Sequence, residues 1–228
     1  DNGSQTSCVL PLAFGLVPAY RKYELYQARY HELARALLAL PPLGRPLNIL
    51  DIGAGFGEQK RFADALGVQA RWTAVELKPA QLEACRALGY EQVVSDVDLE
   101  AKALPFADGS FDAVVASHVL EHLTNAPAAL ADWQRVVAPG GAVFLGLPMH
   151  LPPVALLARL KYRLLGRRPR GHCWFFSMGS LRRFLAAYRV RRVWGFRIIG
   201  ARRQLPLEDY AWFYRASVWL GARAPGAR

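Results

Sequence analysis

The chain is poor in cysteine and arranges none of it for chemistry. Cys8, Cys85 and Cys173 are the three thiols in 228 residues, and no C-x-x-C pair occurs. That excludes a disulfide framework and a cysteine zinc site, and it fits a reducing, cytoplasmic setting. Long apolar runs are missing as well. The longest early one, Cys8 to Pro18, contains two prolines and falls short of the roughly 20 residues that cross a bilayer. No basic stretch precedes it, as one would precede a secretory leader. Internal repeats and low-complexity tracts are absent. The most uneven absence is of acid: between Asp132 and Glu208 there is no Asp or Glu. Residues 1–132 hold 11 Lys/Arg against 16 Asp/Glu, whereas residues 133–228 hold 18 against 2, so the net charge of +11 combines −5 with +16. A half so basic points to an anionic partner: nucleic acid, lipid headgroups or a phosphorylated substrate. An arginine-favouring proteome is the competing explanation.

What is present suffices for one α/β domain. Hydrophobic residues make up 53% of the chain and charged ones 21%, enough for a buried core and unlike a disordered chain. Leu25, Ala28, Leu33, Ala36 and Leu37 recur at helical spacing, predicting a helix over Tyr20 to Leu40 that Pro41-Pro42 stops. Strands and helices then alternate. Strands are expected at Leu47–Ile52, Ala70–Val75, Gln92–Ser95, Phe111–Ala116 and Ala142–Leu147, and helices at Glu58–Leu66, Pro79–Leu88 and Ala126–Ala138, the last closed by Pro139-Gly140-Gly141. Such alternation implies βαβ units and a parallel sheet. After Pro148 the pattern changes. Val154, Leu157, Leu160 and Leu164 form a stripe with Arg159, Lys161 and Arg163 interleaved. Ser180 to Tyr188 reads as a helix with Ser180 as its cap, Val190 to Ile199 as strand, and Asp209 to Leu220 as a final aromatic-rich helix. The organisation is a helical segment over 1–45, a core over 46–150, and a basic lid with sheet completion over 151–228, all in one domain.

The turn Asp51-Ile52-Gly53-Ala54-Gly55-Phe56-Gly57 joins the first strand to a helix. Glycines there let a ligand lie against bare backbone, and the helix behind offers free N–H groups. Glu58 stands where the dinucleotide fingerprint needs its third glycine, and the Lys and Ser/Thr of a phosphate-binding P-loop are missing. Glu76 ends the second strand and Asp96 follows the third, both at the carboxyl edge of the sheet, where open α/β folds bind ligands. A carboxylate at 76 suits ribose hydroxyls, and one at 96 suits an adenine amino group.

Ile49 through Gly57 resembles the first motif of class I S-adenosylmethionine-dependent methyltransferases. Val75-Glu76 is similar to their second-strand acidic site. Leu104 through Asp112, Val115 through Leu123, and Arg135 through Gly141 resemble the segments around their fourth and fifth strands, in the family's order over residues 45–147. The likeness is strongest to the broad group containing ubiquinone and menaquinone methyltransferases. It implies a Rossmann-like, mostly parallel sheet flanked by helices, with a C-terminal helical and aromatic lid. It implies S-adenosyl-L-methionine as methyl donor. Asp51, Gly53, Gly55 and Gly57 would line its methionine part, Glu76 would hold the ribose with Leu77 flanking the adenine, and Asp96 and Val97 would meet the adenine. Ser117 and His118 would sit beside the sulfonium. Asp98 offers a second acid in the adenine loop, two positions on.

His118-x-x-Glu121-His122 matches a zinc-hydrolase pattern. With no third ligand evident in sequence, no metal is expected. If the acceptor is a hydroxyl, a histidine suits the removal of its proton. His118, His150 and His172 are the candidates, with His122 beside them, and His150 is preferred because it follows the fifth strand. Gly171 through Ser177 is similar to a segment preceding the capping helix of related enzymes. The apolar and basic segment 153–170 fits a peripheral membrane-surface helix. The expected acceptor is a small molecule, a lipid-linked compound or a glycan, methylated on oxygen. An RNA acceptor bound by the basic half and a non-catalytic cofactor-binding module are the alternatives.

Overall fold

The computed structural model describes residues 24–100, 103–165, 171–196 and 215–221. Helix α1 spans Glu24–Leu38, matching the expected helix over its described part. Three βα units follow: β1 (Leu47–Ile52), α2 (Glu58–Ala65), β2 (Ala70–Val75), α3 (Pro79–Ala87) and β3 (Gln92–Val94), then β4 (Phe111–Ser117), α4 (Ala126–Arg135) and β5 (Val137–Pro148). With β6 at Val190–Phe196 and β7 at Arg215–Gly221, the sheet order is β3-β2-β1-β4-β5-β7-β6, with the first five strands parallel. Strand order therefore reverses between β1 and β4. In open α/β sheets a ligand crevice forms at such a reversal, outside the carboxyl ends of the strands.

Parallel strands buried on both faces read as continuous apolar runs, and β1 and β4 do. Leu50, Ile52, Val114 and Ala116 face a core built with Leu130 and Trp133 of α4. Ile49, Ala113 and Val115 face a second core with Ala34 and Leu37 of α1 and Ala63 of α2. Tyr30 of α1 stacks on Phe62 of α2 with ring centroids 5.2 Å apart. That contact fixes α1 over the start of α2.

The C-terminal part departs from its expected form in three places. Helix α4 ends at Arg135, and Pro139-Gly140-Gly141 lies inside β5, where the pairing with β4 shifts register between Phe111 and Ala113. Proline and two glycines mark an irregularity in an extended chain here, not a helix stop. Residues 215–221 form β7 (Arg215–Gly221), antiparallel to β5 and to β6 (Val190–Phe196), where a final helix was expected. Val218 and Trp219 are of the β-branched and aromatic types that favour strand, and pairing on both sides settles the segment as strand. Residues 197–199 and 209–214 of those expectations lie outside the described residues. The cap of α6 (Met178–Phe184) is Ser177, which forms a reciprocal capping box with Ser180. Between β5 and β6 the described residues form α5 (Pro152–Leu165), an aromatic segment and α6.

The loop entering β4 is held by one guanidinium. Arg135 donates to Asp132 at 2.7 Å, to Asp108 at 2.7 Å, and to the carbonyls of Phe106 at 2.8 Å and Leu104 at 3.0 Å. Replacing Arg135 with methionine keeps the bulk and strands those acceptors. Chemical denaturation is expected to show a loss of about 1–3 kcal/mol, and an unchanged midpoint would refute the role.

Candidate cofactor and acceptor site

A cleft of about 350 Å³ opens at the switch point, within the range of small-ligand sites. Gly53, Ala54, Gly55 and Phe56 form its floor, and Ser117 and His118 close one side from the end of β4. Arg29 and Tyr30 of α1, Glu58 and Gln59 of α2 and Gln81 of α3 complete it. Of the residues expected around the cofactor, the structure brings Gly53, Gly55, Ser117 and His118 directly to this cleft.

The three glycines serve different ends. A Cβ on Gly53 would meet Val119 Cγ2 at 2.5 Å, and one on Gly57 would run into Leu88 and approach the Tyr90 ring at 3.3 Å. Gly55 is different: its φ is +61°, and a Cβ there would meet only the Glu58 carboxylate, at 3.7 Å. Its bare backbone faces the open cleft.

Asp51 lies beneath the turn, fully buried. Tyr90 donates to its Oδ2 at 2.7 Å, while Oδ1 has no partner among the described residues. Burial pushes its ionisation up to about 7; the Tyr90 hydrogen bond opposes that, and the charges of Glu58 and Glu76 add to it. A buried carboxylate with one oxygen unpaired is costly unless a ligand completes it. Above the turn, the Arg29 guanidinium donates to Tyr30, and its Nε and Nη1 are buried without partners. Sequence reading missed Arg29. Helical periodicity identifies the buried face of α1, but it does not tell which polar residue tips over a cleft.

Glu76 is buried at the end of β2 and accepts the N–H groups of Gly55 at 2.9 Å, Leu77 at 2.8 Å and Lys78 at 3.3 Å. These bonds aim its carboxylate across the glycine turn. Leu77 beside it is 61% exposed. Among the described residues Asp96 and His118 are the two non-glycine residues with positive φ, at 61° and 59°, and both stand at the carboxyl edge of the sheet. Left-handed backbone at such residues costs energy and gathers at functional sites. Asp96 is exposed, whereas Asp98 accepts the Glu100 N–H at 2.9 Å and so caps a local turn. Val97 is buried in the core beneath the loop.

A cluster of histidines lies beyond His118. The segment His118–His122 is a strand end followed by a single 3-10 turn, Leu120–His122, so the two histidines are not a helical i, i+4 pair. Cys173 and Trp174 donate their N–H groups to the Glu121 carbonyl at 2.7 and 3.0 Å. That lays the aromatic segment over the turn and brings the His172 ring within 4.8 Å of the His122 ring. His150 donates its backbone N–H to Phe176 at 2.7 Å, and its ring lies 6.2 Å from that of His172. Burial, together with His172, lowers the ionisation of His150, leaving its ring neutral at pH 7. The three catalytic candidates are thus neighbours in space.

The chain matches the family model described as "Methyltransferase domain" over residues 50–145. It is 30% identical over 190 residues to an uncharacterized methyltransferase of Mycolicibacterium gilvum, covering 71% of this chain and 73% of the relative. It is 33% identical to the ubiquinone biosynthesis O-methyltransferase of Xanthomonas oryzae over 132 residues, 54% of this chain and 53% of that one. Among solved structures it is similar to the Haloferax volcanii protein in complex with the Trm112 methyltransferase activator, at a TM-score of 0.64 and 16% identity, covering 92% and 96% of the two chains. It is also similar to a geranyl diphosphate methyltransferase in complex with GPP and sinefungin, at a TM-score of 0.60 and 17% identity, covering 88% and 80%. With the glycine turn, the reversed strand order and this family match in place, the chain belongs to the class I S-adenosylmethionine-dependent methyltransferases.

Proposed function

We propose that this enzyme methylates an oxygen of a lipid-linked acceptor at an anionic membrane surface, with a free small molecule or a glycan as the wider acceptor class. The residues of the cleft fit S-adenosyl-L-methionine. The unpaired Asp51 Oδ1 would accept its ammonium group, and the unpaired Arg29 nitrogens would take its carboxylate. Glu76 would hold the ribose hydroxyls with Leu77 against the adenine. Asp96, at the exposed end of its loop, would meet the adenine amino group, with Val97 packed below. When bound, the cofactor supplies a methyl group on a sulfonium, whose departure needs positioning more than activation. Ser117 and His118 would border that end, and the neighbouring histidines offer routes for the acceptor proton. The printed names of two relatives, the ubiquinone O-methyltransferase and a malonyl-[acyl-carrier protein] O-methyltransferase of Halorhodospira halophila, support transfer to oxygen.

The observation that carries the acceptor reading is α5. Val154, Leu156, Leu157, Leu160, Leu164 and Leu165 are between 47% and 76% exposed on this one helix, while Ala155 is buried. Soluble surfaces rarely leave so much contiguous apolar area uncovered. Lys161 and Arg163 are exposed on the same helix, which lies within the stretch between Asp132 and Glu208 that holds no acid. An apolar face edged with cations suits the boundary between acyl chains and anionic headgroups. No helix among the described residues is long and apolar enough to cross a membrane, so the contact would be peripheral.

Leu157→Asp with Leu160→Asp is expected to abolish flotation with vesicles containing anionic phospholipid while leaving the melting temperature unchanged. Flotation that persists would remove α5 from the interface. For the acceptor itself, the chain is incubated with methyl-labelled S-adenosylmethionine and a cell extract, which is then fractionated. Label in the lipid fraction is expected. Label confined to RNA would overturn the reading in favour of the basic half as an RNA surface, and transfer to nothing would favour a non-catalytic module.

A further inference from the structure

We propose that Glu121, His122 and His172 hold a divalent transition-metal ion beside the acceptor pocket. One ligand atom from each lies within 4.8 Å of the other two. Ligand atoms about 2.1 Å from one ion stand at most about 4.2 Å apart, so small side-chain rotations of the two imidazoles, which are half-buried or exposed, close the set. Two imidazoles and one carboxylate on one side of an ion leave coordination positions open.

Glu121 is the independent sign that something belongs there. It is fully buried, and its Oε2 has no hydrogen-bond partner among the described residues. Its Oε1 meets the His118 Nδ1 at 3.1 Å and the His122 Nε2 at 3.9 Å. Among the described residues no Lys or Arg pairs with it. A buried carboxylate served only by imidazoles lacks a cation, and a bound ion would provide one.

The place of the cluster gives it a role, which rests on the methyl-transfer reading above. His118, which lines the cofactor cleft, is one hydrogen bond from Glu121. An acceptor hydroxyl bound at an open position of the ion would be polarised and would ionise more readily. Its O–H proton leaves to solvent, an oxygen–carbon bond forms, and the carbon–sulfur bond breaks with its electron pair staying on sulfur. No oxidant or reductant is consumed. His118 is then a positioning residue that orients the ligating carboxylate.

Cobalt(II) titrated into the chelator-stripped full chain tests this, read by visible d–d absorption. One equivalent is expected to bind. His122→Ala and His172→Ala are each expected to abolish the band, and His118→Ala to weaken binding about 10- to 100-fold. Glu121 is buried, so if Glu121→Gln fails to fold, the half-buried His172 still supplies a ligand variant. Calorimetry with S-adenosylmethionine on the same sample separates the two readings: cofactor binding without cobalt binding sinks the metal site alone, and cobalt binding without cofactor binding sinks the donor site alone. A band that survives in both histidine variants, or no band in a cooperatively melting chain, overturns the assignment.

Discussion

Asp51→Asn is expected to raise the dissociation constant for S-adenosylmethionine about ten- to a hundredfold, the worth of one hydrogen bond to a charged group at about 1.5–3 kcal/mol. Asparagine keeps an acceptor for Tyr90 but removes the charge that faces the ligand. The wild type should also show a pH dependence that the variant lacks. Asp51 ionises at about 7 in the unliganded chain because burial, reinforced by Glu58 and Glu76, outweighs the Tyr90 hydrogen bond. An ammonium ligand favours the ionised form, so below pH 7 binding must expel a proton and weakens by up to about tenfold per pH unit. The stability of the unliganded chain moves the opposite way from an ordinary salt-bridged carboxylate. Its folded value lies above the ordinary 3.8, so the native state holds the proton that the unfolded chain loses. Stability therefore falls as pH rises from about 4 to about 7. Calorimetric titrations and melts of both proteins across pH 5–8 check the two slopes, and a variant that keeps either slope would remove Asp51 from the site.

Gly57→Val is expected to lower the melting temperature by about 10 °C, from about 2–5 kcal/mol of lost stability. Gly57 caps α2 with φ at 76°. A β-branched residue there carries left-handed strain of about 1–2 kcal/mol or more, and its Cβ must displace Leu88 and the Tyr90 ring, an overpacking cost of about 1–3 kcal/mol. Tyr90 is also the donor to Asp51, so the surviving folded fraction should bind cofactor poorly. Gly55→Ala separates the two effects. It has similar strain but open space, so it should keep most of the stability while losing binding. Differential scanning calorimetry paired with cofactor titration distinguishes them. Equal melting temperatures for the two variants would contradict the distinct packing of the two glycines.

The core of the fold was readable because its strands are buried on both faces and punctuated by glycine and proline. β1 ends in the Asp-Gly turn, and Pro79 and Gly89 bracket α3. The residues left unread depend on partners distant along the chain. Residues 215–221 are an apolar and aromatic run too short for its period to separate helix from strand, and their pairing with β5 and β6 decides the matter. Arg29 reaches the cleft only because Tyr30 stacks on Phe62. His172 lies 50 positions from His122 in the chain, and the two backbone bonds from Cys173 and Trp174 to Glu121 bring it there. The motif His118-x-x-Glu121-His122 carried the chemistry of a ligand set, but its third member is visible only in three dimensions.

The donor site and the basic lid answer different questions. The glycine turn, Asp51 and Glu76, proposed to hold the methyl donor, stand at the carboxyl ends of β1 and β2. The exposed face of α5 and the histidine cluster are proposed to select the acceptor; α5, His150 and His172 come from the insertion after β5, and His118, Glu121 and His122 from the end of β4 and the turn after it. On the proposed reading, changing the acceptor while keeping the donor would centre on residues 150–184 together with the turn Leu120–His122.

Calorimetric titration of the full chain with S-adenosylmethionine tests the central claim most directly. One-site binding in the micromolar range is expected, weakened by Gly55→Ala and by Asp51→Asn. A cooperatively melting chain that gives no binding heat at any temperature tried, or binding that both substitutions leave unchanged, would contradict it.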